Sequence, residues 1–360
     1  MGFVILPLEI LYLIAQILTN DCKSILSLCV VNKETYHGLL VLLYRSVRLS
    51  STNSVISFCD VITAIQTRRS TYVAALQIGP DWCIDGKQFR LSREVAPQLR
   101  RALHSLHNLK HLSLATNPGT LNILLSDLKV SFKLDTFIHS GRLSIPLLRF
   151  LEGQPSMTSL GWYGIMTEME LNSLSISLKE NPRLLPRLEA VEGPLYILRI
   201  LIPLRPISSV TTSIRKSGRG RPYIATFIDT IKHTMIPMTR ICIVNDDPMG
   251  PMGLKLFKAL PGTSAFLVLK DLHIVNLFNP NMNYDCLKIE ETFPDNIPFD
   301  FLRFNALEKF EFSYARGTRH SPSPEDARTW LRIHEMHKLS RWRALSPSMR
   351  TVIFCGHVID

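Results

Sequence analysis

The chain has 360 residues, 46% of them hydrophobic and 20% charged, with a formal net charge of +11. That apolar share is ample for a packed core, and the basic balance favours acidic partners: nucleic acid, anionic lipid or acidic protein segments. The seven cysteines (Cys22, Cys29, Cys59, Cys83, Cys242, Cys286, Cys355) are widely spaced, form no CxxC and accompany no Asn-x-Ser/Thr sequon. This argues against a disulfide framework or a cysteine zinc site and suits the cytoplasm or nucleus.

Residues 2–18, GFVILPLEILYLIAQIL, are nearly all apolar. They lack the positive start and small-residue cleavage site of a signal peptide, and Pro7, Glu9 and Gln16 interrupt a run too short for a membrane span. The run reads as a buried helix with an extended lead-in, and no membrane partner is expected. Pro7 suits a first helical turn. From there Leu8, Leu11, Ile14, Ala15 and Leu18 recur at helical spacing. Asn20 and Asp21 end that helix and cap a second one over about Cys22–Val31, with Ile25, Leu28 and Cys29 on one face. After Asn32 a third helix carries Tyr36, Leu39, Leu40 and Leu43. Ile10, Ile17, Leu26 and Val30 lie off these stripes and are also apolar. Helices that are apolar on more than one face need cover from two sides, here the rest of the chain and a partner.

The ordered set Leu6-Pro7-Leu8-Glu9-Ile10-Leu11, Ile14, Leu18, then Ile25-Leu26-Ser27-Leu28-Cys29-Val30-Val31-Asn32-Lys33 and Tyr36 resembles the F-box motif. That motif opens with Leu-Pro-x-Glu and an apolar helix, continues through a Leu-rich helix to Val-Ser/Asn-Lys, and ends on an aromatic. The departure is Tyr36, where the family most often has Trp. The resemblance covers about residues 4–46. It implies docking of the Skp-type adaptor of a cullin–RING ubiquitin ligase (an SCF assembly) through Leu6, Pro7, Leu8, Ile10, Leu11, Ile14, Leu26, Leu28, Val31 and Tyr36. The alternative is an ordinary helical cap on a larger domain.

Beyond this module, apolar-x-x-apolar-x-apolar keeps returning. Its instances start at Tyr44, Val73, Leu109, Leu134, Met157, Leu188, Ile207, Met238, Leu269, Leu307 and Met349, separated by 29, 36, 25, 23, 31, 19, 31, 31, 38 and 42 residues. The copies at Leu134, Leu188 and Ile207 are weaker; the first of these has His139 in its last place. The closing alternation is the period-2 signature of a strand with one buried face, and the shorter gaps match leucine-rich repeats. Helices are predicted between the strands, among them Ser92–Leu106, Thr167–Glu180 and Pro324–Trp342. The fold class is therefore α/β: a three-helix module over residues 1–46, then an irregular leucine-rich-repeat-like solenoid over 47–360, with parallel strands and helices outside. Such arrays hold macromolecules and have no natural catalytic cleft, so the chain is read as no enzyme, and F-box proteins often carry such arrays. The other reading is a different α/β fold in which the triplets recur by chance.

Chemistry-bearing motifs are sparse. His104, His107 and His111 form H-x2-H-x3-H, but the last falls on a predicted strand with no carboxylate or cysteine close by, so no metal is assigned. His334 and His337 lack zincin spacing. Neither a G-x-S-x-G elbow nor a phosphate-binding glycine loop is present, and no cofactor is expected. Asp246-Asp247 before Pro248 reads as a turn, and Ser321-Pro322-Ser323-Pro324 as the lead-in to a helix. The sharpest local feature is the basic stretch holding Arg215, Lys216, Arg219 and Arg221; Arg219-Gly220-Arg221-Pro222 resembles an AT-hook core, which lies along the minor groove of A·T-rich DNA. Its plain reading is a basic loop between repeats, and its functional reading is contact with nucleic acid or an acidic partner. The leading expectation is thus a ligase substrate receptor for an unknown target protein, and the alternative is a DNA-associated scaffold.

Overall fold

The computed structural model describes residues 8–17, 22–31, 33–64, 68–79, 89, 91–126, 128, 130–214, 223–245, 267–276, 304–314 and 324–360. It divides into two compact units: residues 1–158 with 163–166 and 183–185, and residues 159–162 with 167–182 and 186–360.

In the first unit, helices α1 (Leu8–Ile17) and α2 (Cys22–Cys29) both pack on α3 (Lys33–Arg45). They enclose a small core of Ala15, Ile25, Cys29, Leu39 and Leu42, with Tyr12, Leu28, Tyr36 and Leu43 packed against it. Helix α3 runs directly into strand β1 (Ser46–Leu49). Strands β2 (Ala75–Ile78), β3 (His111–Leu114) and β4 (Thr136–His139) follow, each parallel to the one before. The register aligns Val47, Leu76, Leu112 and Phe137 in one row and Leu49, Ile78, Leu114 and His139 in another.

Connecting helices start where local chemistry provides a cap. Ser51 and Ser54 cap each other's backbone at the start of α4 (Thr52–Thr63). Asn117 accepts from the Thr120 N–H at 2.8 Å, and its own amide donates to the Leu91 carbonyl at 3.2 Å. Ser144 caps Ile145–Glu152, and Pro118 and Pro146 occupy first turns, where no N–H is needed. At the strand starts the Ala74 carbonyl accepts from the N–H groups of Lys110 and His111 (2.8 and 3.0 Å), and the Lys110 carbonyl from those of Asp135 and Thr136 (2.8 and 3.1 Å). This double acceptance sets each strand's stagger.

His139 ends the row in which its neighbours are leucine and isoleucine. It is fully buried, stacked on Phe137 at 4.9 Å, and its Nδ1 accepts the Gly141 N–H at 3.1 Å. An acceptor nitrogen means a neutral ring, and burial pushes its pKa down to about 3. Because the folded value lies below the unfolded one, near 6.5, its contribution is complete above that pH and is lost as pH falls toward 3. His139→Phe is expected to flatten the acid limb of the stability profile between those values; an unchanged limb in urea titrations at pH 4 and 7 would refute this.

The second unit has eight strands among the described residues: β5 (Ser159–Trp162), β6 (Ala190–Glu192), β7 (Ser209–Ile214), β8 (Arg240–Asn245), β9 (Asp271–Asn276), β10 (Lys309–Tyr314), β11 (Thr351–Phe354) and β12 (His357–Ile359). From β5 to β11 each pairs in parallel with the next. One row, Leu160, Val191, Val210, Ile241, Leu272, Phe310 and Val352, is at most 2% exposed throughout. The double acceptance recurs at the carbonyls of Glu189, Ser208, Thr239, Lys270 and Glu308. The helix Glu168–Glu180 ends on a buried cation: Arg205 donates to the carbonyls of Leu178 (3.1 Å) and Asn181 (3.2 Å), satisfying groups the helix leaves open.

Each of the eleven apolar triplets coincides with one of β1 to β11, giving an α/β, leucine-rich-repeat-like arrangement of parallel strands alternating with helices in each unit. The weak copies have physical reasons: the third place holds neutral His139, Gly193, or buried Thr212. Two details differ from expectation. Strand β12 turns back antiparallel on β11 through Cys355 and Gly356, both at positive φ (50° and 84°), the geometry of a tight hairpin. The single helix predicted over Pro324–Trp342 is two, Pro324–Ile333 and Leu339–Leu345. Glu335 sits at φ 54°, its N–H donates to the Arg332 carbonyl, and the Met336 N–H donates to that of Leu331 at 2.7 Å. This is a Schellman ending with glutamate in the place glycine usually takes.

Candidate functional site

The N-terminal helices bury one face and leave others bare. On α1, Ala15 is fully buried, while Ile10, Leu13 and Ile17 are 42%, 54% and 84% exposed. Their spacing of three and four residues places them on a second apolar stripe. On α2, Ile25 and Cys29 enter the core, and Leu26, with Val30 and Val31 just beyond the helix, is exposed.

The residues expected to dock a partner therefore fall into groups. Ile10, Leu26 and Val31 are exposed; Leu11 and Ile14 are half-buried. Leu28 and Tyr36 are half-buried against the module's own core, Tyr36 also meeting His37 edge-on at 5.4 Å. Leu8 opens α1. Leu6, Pro7 and the basic residues Arg215, Lys216, Arg219 and Arg221 lie outside the described residues, as do Asp246, Asp247 and Ser321–Ser323. Leu13, Ile17 and Val30 belong to the exposed set as well. A count of the apolar residues left over after the first stripe identifies them.

The outward positions of the strands form the other candidate surface. In the second unit the register sets Cys242, His273 and Glu311 side by side on β8, β9 and β10. The Cys242 Sγ is 3.6 Å from His273 Nδ1, and His273 Nε2 is 2.9 Å from Ser313 Oγ and 3.3 Å from Glu311 Oε1. The order thiol, imidazole, carboxylate is that of an activated nucleophile. The electrostatics are not. Burial first, then the nearby Glu192 carboxylate, pushes the Cys242 thiol up to about 11, and burial holds His273 below the usual imidazole value. The thiol and imidazole are neutral members of a hydrogen-bonded row that ends on Glu311, which also pairs with Lys309 (3.1 Å), and the Arg240–Asp271 pair (3.3 Å) lies beside it.

Among the described residues no three of His, Cys, Asp and Glu are grouped to hold a metal ion. His104 and His111 are exposed, and His107 Nδ1 is bonded to Ser131 Oγ at 2.6 Å. Cys29, Cys59, Cys242 and Cys355 are free thiols. None of the described helices is long and apolar enough to cross a membrane.

No protein-family model and no curated protein matches the chain. Among solved structures it is similar to the leucine-rich repeat-containing protein LegL7 from Legionella pneumophila, with a TM-score of 0.42 and 13% identity over 88% of this chain and 92% of that one. At that score and identity the fold rests on the chain's own strand register and recurring rim hydrogen bonds.

Proposed function

We propose that the chain is a non-catalytic binding subunit whose helical module, residues 1–46, docks a Skp-type adaptor and through it a cullin, while the repeats of residues 47–360 hold a target protein. The observation that carries this reading is the bare apolar stripe Ile10-Leu13-Ile17 on α1 and the exposed apolar set Leu26, Val30 and Val31 on and just after α2, in a segment whose sequence also resembles the F-box. Burying one such side chain contributes about 1.5–3 kcal/mol, so six of them left in water call for a partner. A strongly polar exterior would be the ordinary finish for a mere helical cap.

The test is co-purification of the full chain with a Skp-type adaptor, alone and as Ile10→Asp with Leu26→Asp. Both side chains are already exposed, so the fold tolerates the change, and circular dichroism checks that. The expected result is capture by the intact chain and at least about a hundredfold loss in the double variant, as for the central anchors of an interface. No capture, or equal capture by both, overturns the reading. Salt-dependent DNA binding lost on changing Arg219 and Arg221 would instead support the DNA-associated scaffold.

A further inference from the structure

We infer that the outward strand face of the first unit is a docking surface for an acidic, extended peptide segment. The outward positions are Ser46 and Arg48 on β1, Ala75 and Gln77 on β2, His111 and Ser113 on β3, and Thr136 and Ile138 on β4, in register across four parallel strands. None of the eight is acidic. At the strand starts stand exposed Arg45 and Lys110, and Arg69 lies with its guanidinium 5.6 Å over the Tyr44 ring. The one carboxylate among these neighbours is Asp135, already 4.0 Å from Lys110. Arg45 and Arg48 have no ion-pair partner among the described residues.

The second unit's outward face supplies the contrast. There Arg240 pairs with Asp271, Lys309 with Glu311, and Lys270 and Arg350 share Glu308, so its charges are spent on each other. In the first unit Arg45 and Arg48 are left for something else.

Geometry and side-chain type select the occupant. Adjacent strands are about 4.8 Å apart and residues rise about 3.3 Å along each. Arg45, just before β1, and Arg48 on it are three residues apart, roughly 10 Å along the strand, a distance that carboxylates two to four residues apart on an extended peptide bracket. Ser46, Ser113 and Thr136 add hydroxyl groups to hydrogen-bond its backbone. Single-stranded nucleic acid would want aromatic platforms for its bases, and the eight outward positions include no Phe, Tyr or Trp; the Tyr44 ring is already covered by Arg69. The inference is independent of what docks on α1 and α2.

The experiment uses the full-length chain and a fluorescein-labelled decapeptide of alternating glutamate and glycine, read by fluorescence anisotropy at low and physiological salt. Arg45→Glu with Arg48→Glu is compared with Arg332→Glu with Lys338→Glu, an equal charge change at exposed positions of the second unit. The first pair is expected to weaken binding by about tenfold or more, because like charges now face each other, and the second by less than about twofold. Equal losses would reduce the effect to net charge, and absence of binding would remove the site; either overturns the inference. So would an oligothymidine of matched charge binding more tightly than the peptide and losing that binding on the first pair. Because adaptor capture is read separately, failure here leaves the helical module's role standing, and the reverse holds.

Discussion

Gly164→Ala is expected to destabilise the first unit by about 3 kcal/mol or more, at the upper end of what overpacking costs. A Cβ at Gly164 would sit 1.9 Å from the Gly141 carbonyl oxygen and 2.6 Å from its carbon. Both are backbone atoms, so no side chain can swing aside. Gly141 in turn is held by its N–H bond to His139 at 3.1 Å, and Arg142 Nε donates to the Ile165 carbonyl at 3.3 Å. Displacing one loop therefore strips a buried imidazole of its partner. Gly119→Ala is the control. It lies in the helix Pro118–Leu125, and a Cβ there meets the far end of the Arg93 side chain at 3.2 Å and the Asn117 side-chain oxygen at 3.6 Å, with no backbone atom among its nearest neighbours. Alanine is preferred to glycine within a helix by about 0.5–1 kcal/mol, so the same substitution is expected to be neutral or stabilising. Urea midpoints of both variants, measured beside the parent, decide the matter: a Gly164→Ala midpoint equal to the parent's would show that the loops do not pack this closely.

This close approach explains what was readable in the sequence and what was not. The strands were legible because most of them bury two alternate side chains and a third two residues before the strand. Leu109, Leu112 and Leu114 show the rule, all at most 1% exposed. The exits from the strands carry a different mark, a glycine where the chain turns against its neighbour: Gly79, Gly141, Gly164 and Gly193. A Cβ on Gly193 would come within 2.5 Å of the Trp162 carbonyl oxygen. Isolated glycines at intervals of about 20 to 60 residues do not announce a contact with each other, so that constraint was invisible until the strands were stacked.

The same separation hides the polar rows. Cys242, His273 and Glu311 are 31 and 38 residues apart in the chain, and only the parallel register puts the thiol 3.6 Å from the imidazole. Lys270, Glu308 and Arg350 likewise meet as a ladder of 3.4 and 3.6 Å ion pairs because each stands just before a strand. These pairs are exposed and contribute little each; their use is to match one repeat to the next. In the helical module the reverse holds. Neighbouring residues carry the signal, so α1 to α3 were legible in order and extent, and Ile10 and Ile17 stand out in the sequence as apolar off the first stripe; Leu13 joins them where its exposure is seen. The break at Glu335 was not legible, because a helix ending in a left-handed glutamate lacks the glycine by which such endings are recognised.

That broken segment bears on the largest side-chain effect. Trp342→Ala is expected to cost the second unit about 3–5 kcal/mol, the usual loss for truncating a buried large aromatic. Trp342 is 1% exposed, its ring stacks on Phe310 at 5.7 Å, and its indole N–H donates to the Met336 carbonyl at 2.8 Å. Two roles are combined here. The ring fills the space over β10, and the N–H ties the helix Leu339–Leu345 to the turn that ends Pro324–Ile333. Trp342→Phe separates them: it keeps most of the ring and leaves the Met336 carbonyl without its donor, a loss of about 1–3 kcal/mol. If core filling dominates, phenylalanine recovers more than half of what alanine loses. If the tie dominates, the two variants unfold at nearly the same urea concentration, and limited proteolysis cuts both between residues 333 and 339 faster than the parent. A phenylalanine variant as stable as the parent would show that the helix break is held by Glu335, whose carboxylate accepts from Arg341 Nη2 at 2.5 Å, and not by the tryptophan.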